Sequence, residues 1–111
     1  MQLVVIRADA STKVGSGHVM RCLTLAKRLR KEKNAQVIFV MRELSGNLIG
    51  VAKNQGFEVL ALPPAEQQYQ LEGYGLWLTV PMELDAQQTK EALQGYLKGC
   101  NANAIDRLVV D

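Results

Sequence analysis

Cysteine, long apolar runs and excess charge of one sign are all scarce in this sequence, and each shortage excludes a class of protein. Two cysteines, Cys22 and Cys100, are too few for a disulfide framework. Cys22 falls among helical apolar residues and reads as a buried thiol. The N-terminal apolar run, Leu3 to Ile6, is cut off by Arg7 and Asp9, too soon for a secretion signal. No stretch approaches the roughly 18 consecutive apolar residues that a membrane span needs. Even the charge-free segment from Gly73 to Met82 is broken by glycines and by Pro81. A net charge of +2 is far from the dense basic face that a nucleic-acid partner would call for. These shortages predict a cytoplasmic location, with neither a membrane nor a nucleic acid as partner.

What remains is the balance of an ordinary globular domain. Hydrophobic residues make up 48% of the chain and charged residues 22%, so disorder is excluded. A length of 111 residues accommodates one domain, 1–111, with a real core. The closing run Leu108-Val109-Val110-Asp111 reads as a core strand stopping at an acid, the kind that feeds a loop and another helix. The expectation is therefore a piece of a longer protein.

Strand and helix patterns alternate along the chain. Gln2 to Ala8 is short, β-branched and apolar, and reads as a buried strand. Asp9 to Gly17 is a loop rich in Asp, Ser, Thr and Gly. From Gly17 to Lys33, Val19, Cys22, Leu23, Ala26 and Leu29 recur at the spacing of one helix face. Basic residues gather in the last turns, where the helix dipole favours them, and the run from Lys27 to Lys33 reads as a solvated face. Met20, Cys22 and Leu23 read as packing residues. Gln36 to Met41 is a second strand, and Ser45-Gly46-Asn47 opens a second helix ending near Asn54-Gln55. Gly56 supplies a turn before a third strand, Phe57 to Leu62, which Pro63 and Pro64 end. A short helix near Glu66 to Leu71 and a short strand near Leu76 to Val80 are weaker patterns. Asp85 to Leu97 is a helix with Asp85 as its N-cap, and Arg107 to Asp111 is the last strand.

Strands separated by helices imply right-handed crossovers and a mostly parallel sheet, a Rossmann-like three-layer α/β domain. Ligands of such sheets bind outside the carboxyl ends of the strands. Those ends are Asp9 with its loop, the segment from Arg42 to Asn47, the Pro63 region and Asp111. The polar and glycine-rich elements thus fall on one edge.

The most informative segment on that edge runs from Arg7 to Cys22. Gly15 and Gly17 let a ligand approach the backbone closely. The helix that follows turns its first N–H groups into the same space, a setting for an anion or developing negative charge. His18, the only histidine in the chain, stands in that first turn. The segment is not a dinucleotide fingerprint, because Met20 occupies the position of the third glycine. No Gly-Lys-Ser/Thr occurs, so there is no Walker A loop.

Taken as a whole, Asp9-Ala10-Ser11 followed by Gly15-Ser16-Gly17-His18-Val19-Met20-Arg21-Cys22-Leu23-Thr24-Leu25-Ala26 resembles the opening of the UDP-sugar hydrolases of pseudaminic acid biosynthesis, a group that includes proteins of spore-coat polysaccharide biosynthesis. Arg42 with Gly46-Asn47-Leu48, Asp85-Ala86 with Thr89, and Leu108-Val109-Val110-Asp111 extend the likeness over most of the chain. The resemblance implies the N-terminal half of a GT-B-type fold, two Rossmann-like domains facing across a cleft. It implies hydrolysis of UDP-2,4-diacetamido-2,4,6-trideoxy-β-L-altropyranose with inversion, without a metal or other cofactor. Most of the UDP would be held by a C-terminal domain of the same protein. On this likeness His18 is the candidate base or water-orienting group, with Asp9 as runner-up or as its supporting partner. Gly15, Ser16 and Gly17 would line the sugar or diphosphate, and Arg7 or the more distant Arg21 would hold a charged group.

Ordinary alternatives stand beside several of these roles. Asp9 also reads as a loop carboxylate bonding backbone N–H groups. Asn47 also reads as a helix-start residue rather than a substrate contact. Tyr74 and Trp77 are placed to pack over the loop edge. A GT-B glycosyltransferase with a UDP-sugar donor and a non-catalytic sugar-nucleotide binding module are the competing functions.

Overall fold

The structure, a computed structural model, describes residues 3–10, 16–44, 46–64, 82–100 and 107–110. Among these, four strands and three helices alternate: β1 (Leu3–Arg7), α1 (Gly17–Lys33), β2 (Gln36–Arg42), α2 (Ile49–Asn54), β3 (Glu58–Leu62), α3 (Met82–Cys100) and β4 (Arg107–Val110). The sheet runs β3-β2-β1-β4 and every pairing is parallel. The chain is thus a small α/β domain of the kind compatible with a Rossmann-like fold. The expected short elements between Glu66 and Val80, together with Gly15, Tyr74, Trp77 and Asp111, lie outside the described residues.

The strands are near-continuous apolar runs because both faces of a parallel sheet are covered. Val4, Ile6, Val37, Phe39 and Met41 point to one face and meet Val19, Cys22, Leu23 and Ala26 of α1 and Ala52 of α2. Leu3, Val5, Ile38, Val40 and Leu62 point to the other and meet Leu93 of α3, with Ala92, Tyr96 and Leu97 packed alongside. Phe39 and Phe57 stand edge to face with ring centroids 5.4 Å apart, the favoured geometry for an aromatic pair.

This layering has a consequence for ligand placement. From β1 the chain moves outward to β2 and β3 by way of α1 and α2 on one face. It then crosses back by way of α3 on the other face to β4, on the far side of β1. The strand order therefore reverses between β1 and β4, and the carboxyl ends of those two strands flank a topological switch point.

Local chemistry sets the element ends. Asn34 closes α1 in the left-handed region, at φ 51°, and the N–H of Ala35 donates back to Leu29 O at 3.2 Å. Gly56 turns the chain into β3 at φ 87°, a conformation that glycine adopts without steric cost. The helix expected to open at Ser45 starts at Ile49. Asn47 leads into it by an Asx turn, its Oδ1 accepting the Ile49 N–H at 3.0 Å while its Nδ2 donates to Leu44 O at 2.8 Å.

Two expectations require correction. Asp85 is not an N-cap: α3 begins at Met82, and Asp85 lies inside the helix on its inner stripe, four residues before Thr89 and eight before Leu93. Met20 does not pack: it is 46% exposed, because it falls one residue, about 100° of helix rotation, past the buried stripe that Val19 and Leu23 define. Arg30, within the basic run read as solvated, lays its guanidinium 4.2 Å from the Phe57 ring centroid and donates to Gln55 O at 3.1 Å.

Candidate functional site at the carboxyl edge of the sheet

Two of the strands end in arginine, and the period-two alternation that buries Leu3 and Val5 against α3 turns Arg7 to the same side. On β2, Ile38 and Val40 do the same for Arg42. A buried guanidinium needs carboxylates, and α3 supplies one from its first turns. Asp85 Oδ1 accepts from Arg7 Nη2 and from Arg42 Nη2, the latter at 2.6 Å, and its Oδ2 accepts from Arg7 Nε at 3.2 Å. Asp9, just past β1, supplies the other. Its Oδ1 accepts from Arg7 Nη1 at 2.6 Å and from the Arg42 backbone N–H at 2.8 Å, and its Oδ2 accepts from Arg7 Nη2 at 2.8 Å.

With Arg7 Nη1 also donating to Val40 O at 3.3 Å, every N–H of the Arg7 guanidinium is engaged. Arg42 completes the cluster by donating from Nη1 to Pro63 O and to Gln88 Oε1, both at 2.8 Å. Arg7, Asp9, Arg42 and Asp85 are all buried, and their formal charges sum to zero. Burial alone would raise the Asp85 carboxyl. Hydrogen bonds from Arg7 and Arg42, with their positive charges, outweigh it and hold the carboxyl below its ordinary range. Burial would likewise lower the Arg7 guanidinium, but its hydrogen bonds to Asp9 and Asp85 raise it instead.

The cluster engages Arg7 and Asp9, and a separate turn engages Asn47. Arg7 has no donor left for a substrate. Asp9 bonds a backbone N–H and a buried arginine, the second of the two roles its sequence position left open. Asn47 spends its amide on the entry to α2. In the structure the polar groups of all three are engaged within the domain.

The accessible chemistry is at the start of α1. The first hydrogen bond of this helix runs from Met20 N to Ser16 O at 3.0 Å, so the N–H groups of its first turn precede the intrahelical ladder. Ser16 occupies the cap position but makes no side-chain cap, and the first turn carries no acidic residue. No acid within that turn therefore offsets the positive end of the helix dipole. Ser16 and Gly17 are exposed, and His18 is half-buried. A Cβ built on Gly17 would meet only Arg21 Nη1, at 4.0 Å, so the glycine leaves the space above the helix start open. Arg21, which seemed to lie too far round the helix, folds back over this turn and places Nη2 3.1 Å from His18 Nδ1. Residues three apart are neighbours on a helix surface, which is why the contact forms.

The structure thus brings Ser16, Gly17, His18 and Arg21 together at one helix start, and Arg7 and Asp9 into a separate buried cluster on the same sheet edge. Asp85 and Arg42 are the cluster members that sequence reasoning did not place there. Their signal was present: an arginine ending each of two apolar strands, and an acid in phase with Thr89, Leu93 and Tyr96 on a helix. Among the described residues no group of three or more His, Cys, Asp or Glu side chains comes together to hold a metal ion. No described helix is long and apolar enough to cross a membrane. Comparison with known proteins finds no matching family model, no matching characterised protein and no matching solved structure.

Proposed function

We propose that this chain is the sugar-side, N-terminal domain of a cytoplasmic UDP-sugar hydrolase with a GT-B arrangement, acting on the UDP-linked diacetamido-trideoxy sugar of pseudaminic acid or spore-coat polysaccharide biosynthesis. One observation carries the reading. His18 stands in the first turn of α1, where Ser16 makes no side-chain cap, at the carboxyl edge of a parallel sheet whose order reverses beside β1. The substrate brings a diphosphate and an anomeric carbon. A helix start is suited to the negative charge of the first. A half-buried imidazole is suited to handling water at the second.

In the reaction, a water oxygen forms a bond to the anomeric carbon from the face opposite UDP. The carbon–oxygen bond to the diphosphate breaks, its electron pair leaves with UDP, and the water gives up a proton. UDP is a good leaving group, so the domain's main task is to orient the water and receive that proton rather than to supply a strong acid. His18 is the residue for this step, as base or as orienting group. Asp9 supports the edge from within the ion cluster, and a C-terminal domain would hold most of the UDP.

The test uses the protein carrying both domains, with His18 intact and with His18→Ala. Each is mixed with the UDP-linked diacetamido sugar while UDP release and product anomer are followed. The reading expects inversion in the wild type and, in the variant, a rate lower by about 100-fold or more with UDP still bound, the usual scale for losing a positioned acid–base group. UDP release that depends on an added sugar acceptor would make the protein a transferase. UDP binding without turnover in either form would make it a binding module.

A further inference from the structure

The contact between Arg21 and His18 carries more information than proximity. A guanidinium has only N–H donors and no acceptor. Nη2 of Arg21 lies 3.1 Å from Nδ1 of His18, so Nδ1 must present its lone pair and the ring proton must sit on Nε2. The second branch of the guanidinium lies over the start of the helix, within 4.0 Å of where a Gly17 Cβ would be. The guanidinium is thus folded back along the first turn rather than extended into solvent.

We propose that Arg21 is a positioning residue for His18: it fixes the imidazole in the Nε2–H tautomer and makes Nδ1 its basic nitrogen. Nε2 then serves only as a donor. Any proton that His18 takes up enters at Nδ1, in place of the Arg21 N–H. For the hydrolysis proposed above, Nε2–H orients an oxygen of water, sugar or phosphate, and proton uptake requires Arg21 to move off the ring. This consequence rests on the hydrolase reading, whereas the tautomer assignment does not.

The sequence makes the assignment directly measurable, because His18 is the only histidine. Long-range proton–nitrogen NMR of the 15N-histidine-labelled chain at mildly alkaline pH reports one imidazole. Spectra are compared for the wild type, Arg21→Met and Arg21→Lys, with backbone amide spectra confirming that each is folded. The expected result is a pyrrole-type Nε2 and a pyridine-type Nδ1 in the wild type. The Nδ1 resonance should shift further towards the non-hydrogen-bonded pyridine range in Arg21→Met and return part of the way in Arg21→Lys. A proton on Nδ1 in the wild type, or an Nδ1 resonance that ignores both substitutions, overturns the proposal.

A kinetic arm in the two-domain protein separates positioning from ligand binding. Positioning expects kcat in Arg21→Met to fall by about ten- to a hundredfold with KM little changed, the scale of a misoriented group. A raised KM at unchanged kcat would make Arg21 a substrate contact and overturn its positioning role. Failure of the wild type to release UDP would sink the hydrolase reading instead, leaving the NMR result to decide this one.

Discussion

Replacing Asp85 by Asn tests whether the buried ion cluster holds α3 to the sheet. The substitution keeps shape and removes one negative charge, leaving Arg7 and Arg42 facing Asp9 alone, a buried net charge of one. The carboxylate accepts three side-chain hydrogen bonds: from Arg7 Nε, from Arg7 Nη2 and from Arg42 Nη2. An Asn oriented to keep its oxygen on the two Nη2 groups turns its NH2 towards Arg7 Nε, donor against donor. The flipped orientation is worse, since it sets the NH2 against both Nη2 groups. Breaking a buried ion pair by removing one partner costs about 3–5 kcal/mol. A domain of this size is stable by only about 5–15 kcal/mol, so the variant should lose a large share of its stability.

Urea denaturation followed by circular dichroism at neutral pH is the assay for this cost. With a slope of about 2 kcal/mol per molar, the midpoint should fall by about 2 M. The pH dependence supplies the sign. The Asp85 carboxyl is held below its ordinary range in the folded chain, so its contribution is fully present above the unfolded-state value and is lost as pH falls through the folded one. The gap between wild type and Asp85→Asn should therefore be constant near neutrality and close below about pH 4. A loss smaller than about 1 kcal/mol, the scale of a surface pair, would show that the cluster does not anchor the helix. A gap that persists unchanged into acid would show that the carboxyl's charge is not what matters.

Three further variants test the packing and the helix start. Gly17→Ala should leave thermal stability unchanged or raise it by up to about 1 kcal/mol, because the added methyl meets nothing closer than Arg21 Nη1 at 4.0 Å. The same variant should weaken binding of the UDP-sugar if the ligand uses that open space, which calorimetry on the two-domain protein would measure. Phe39→Ala removes a fully buried ring from the centre of the sheet and should cost about 3–5 kcal/mol in urea unfolding. Arg30→Met keeps the aliphatic stem over Phe57 but removes the cation and its bond to Gln55 O. It should cost about 0.5–1 kcal/mol, read as a small drop in the urea midpoint.

The alternation of short apolar runs with amphipathic stretches determined the α/β class, because side chains buried on both faces of a strand and on one stripe of a helix leave different periods in the sequence. Val4 to Ile6 and Val37 to Met41 announced buried parallel strands, and Val19, Cys22, Leu23 and Ala26 announced the inner face of α1. The end of β1 before Asp9 and the start of α1 at Gly17 were legible for the same reason: glycine and small polar residues mark where the chain leaves the core. Gly56 showed its turn role through local chemistry alone, whereas Asn47 read equally as a helix start and as a substrate contact.

Tertiary structure decided what the charged residues do. Arg7 looked like a group available to a ligand, and only the return of α3 across the sheet, 78 residues after Arg7, brings Asp85 to its Nε and Nη2 and completes its engagement. An acid near a helix start reads as a cap until the partner surface is known. Asp85 became a core residue because two strand-end arginines arrive beneath it, a coincidence of register between β1, β2 and α3 that no local window contains. The strand order, and with it the switch point beside β1, likewise depends on which edge the last strand joins. The contact between Arg21 and His18 lies between these cases. Helical spacing permits it, but only the rotamer of an exposed arginine, set by its surroundings in the folded chain, makes it.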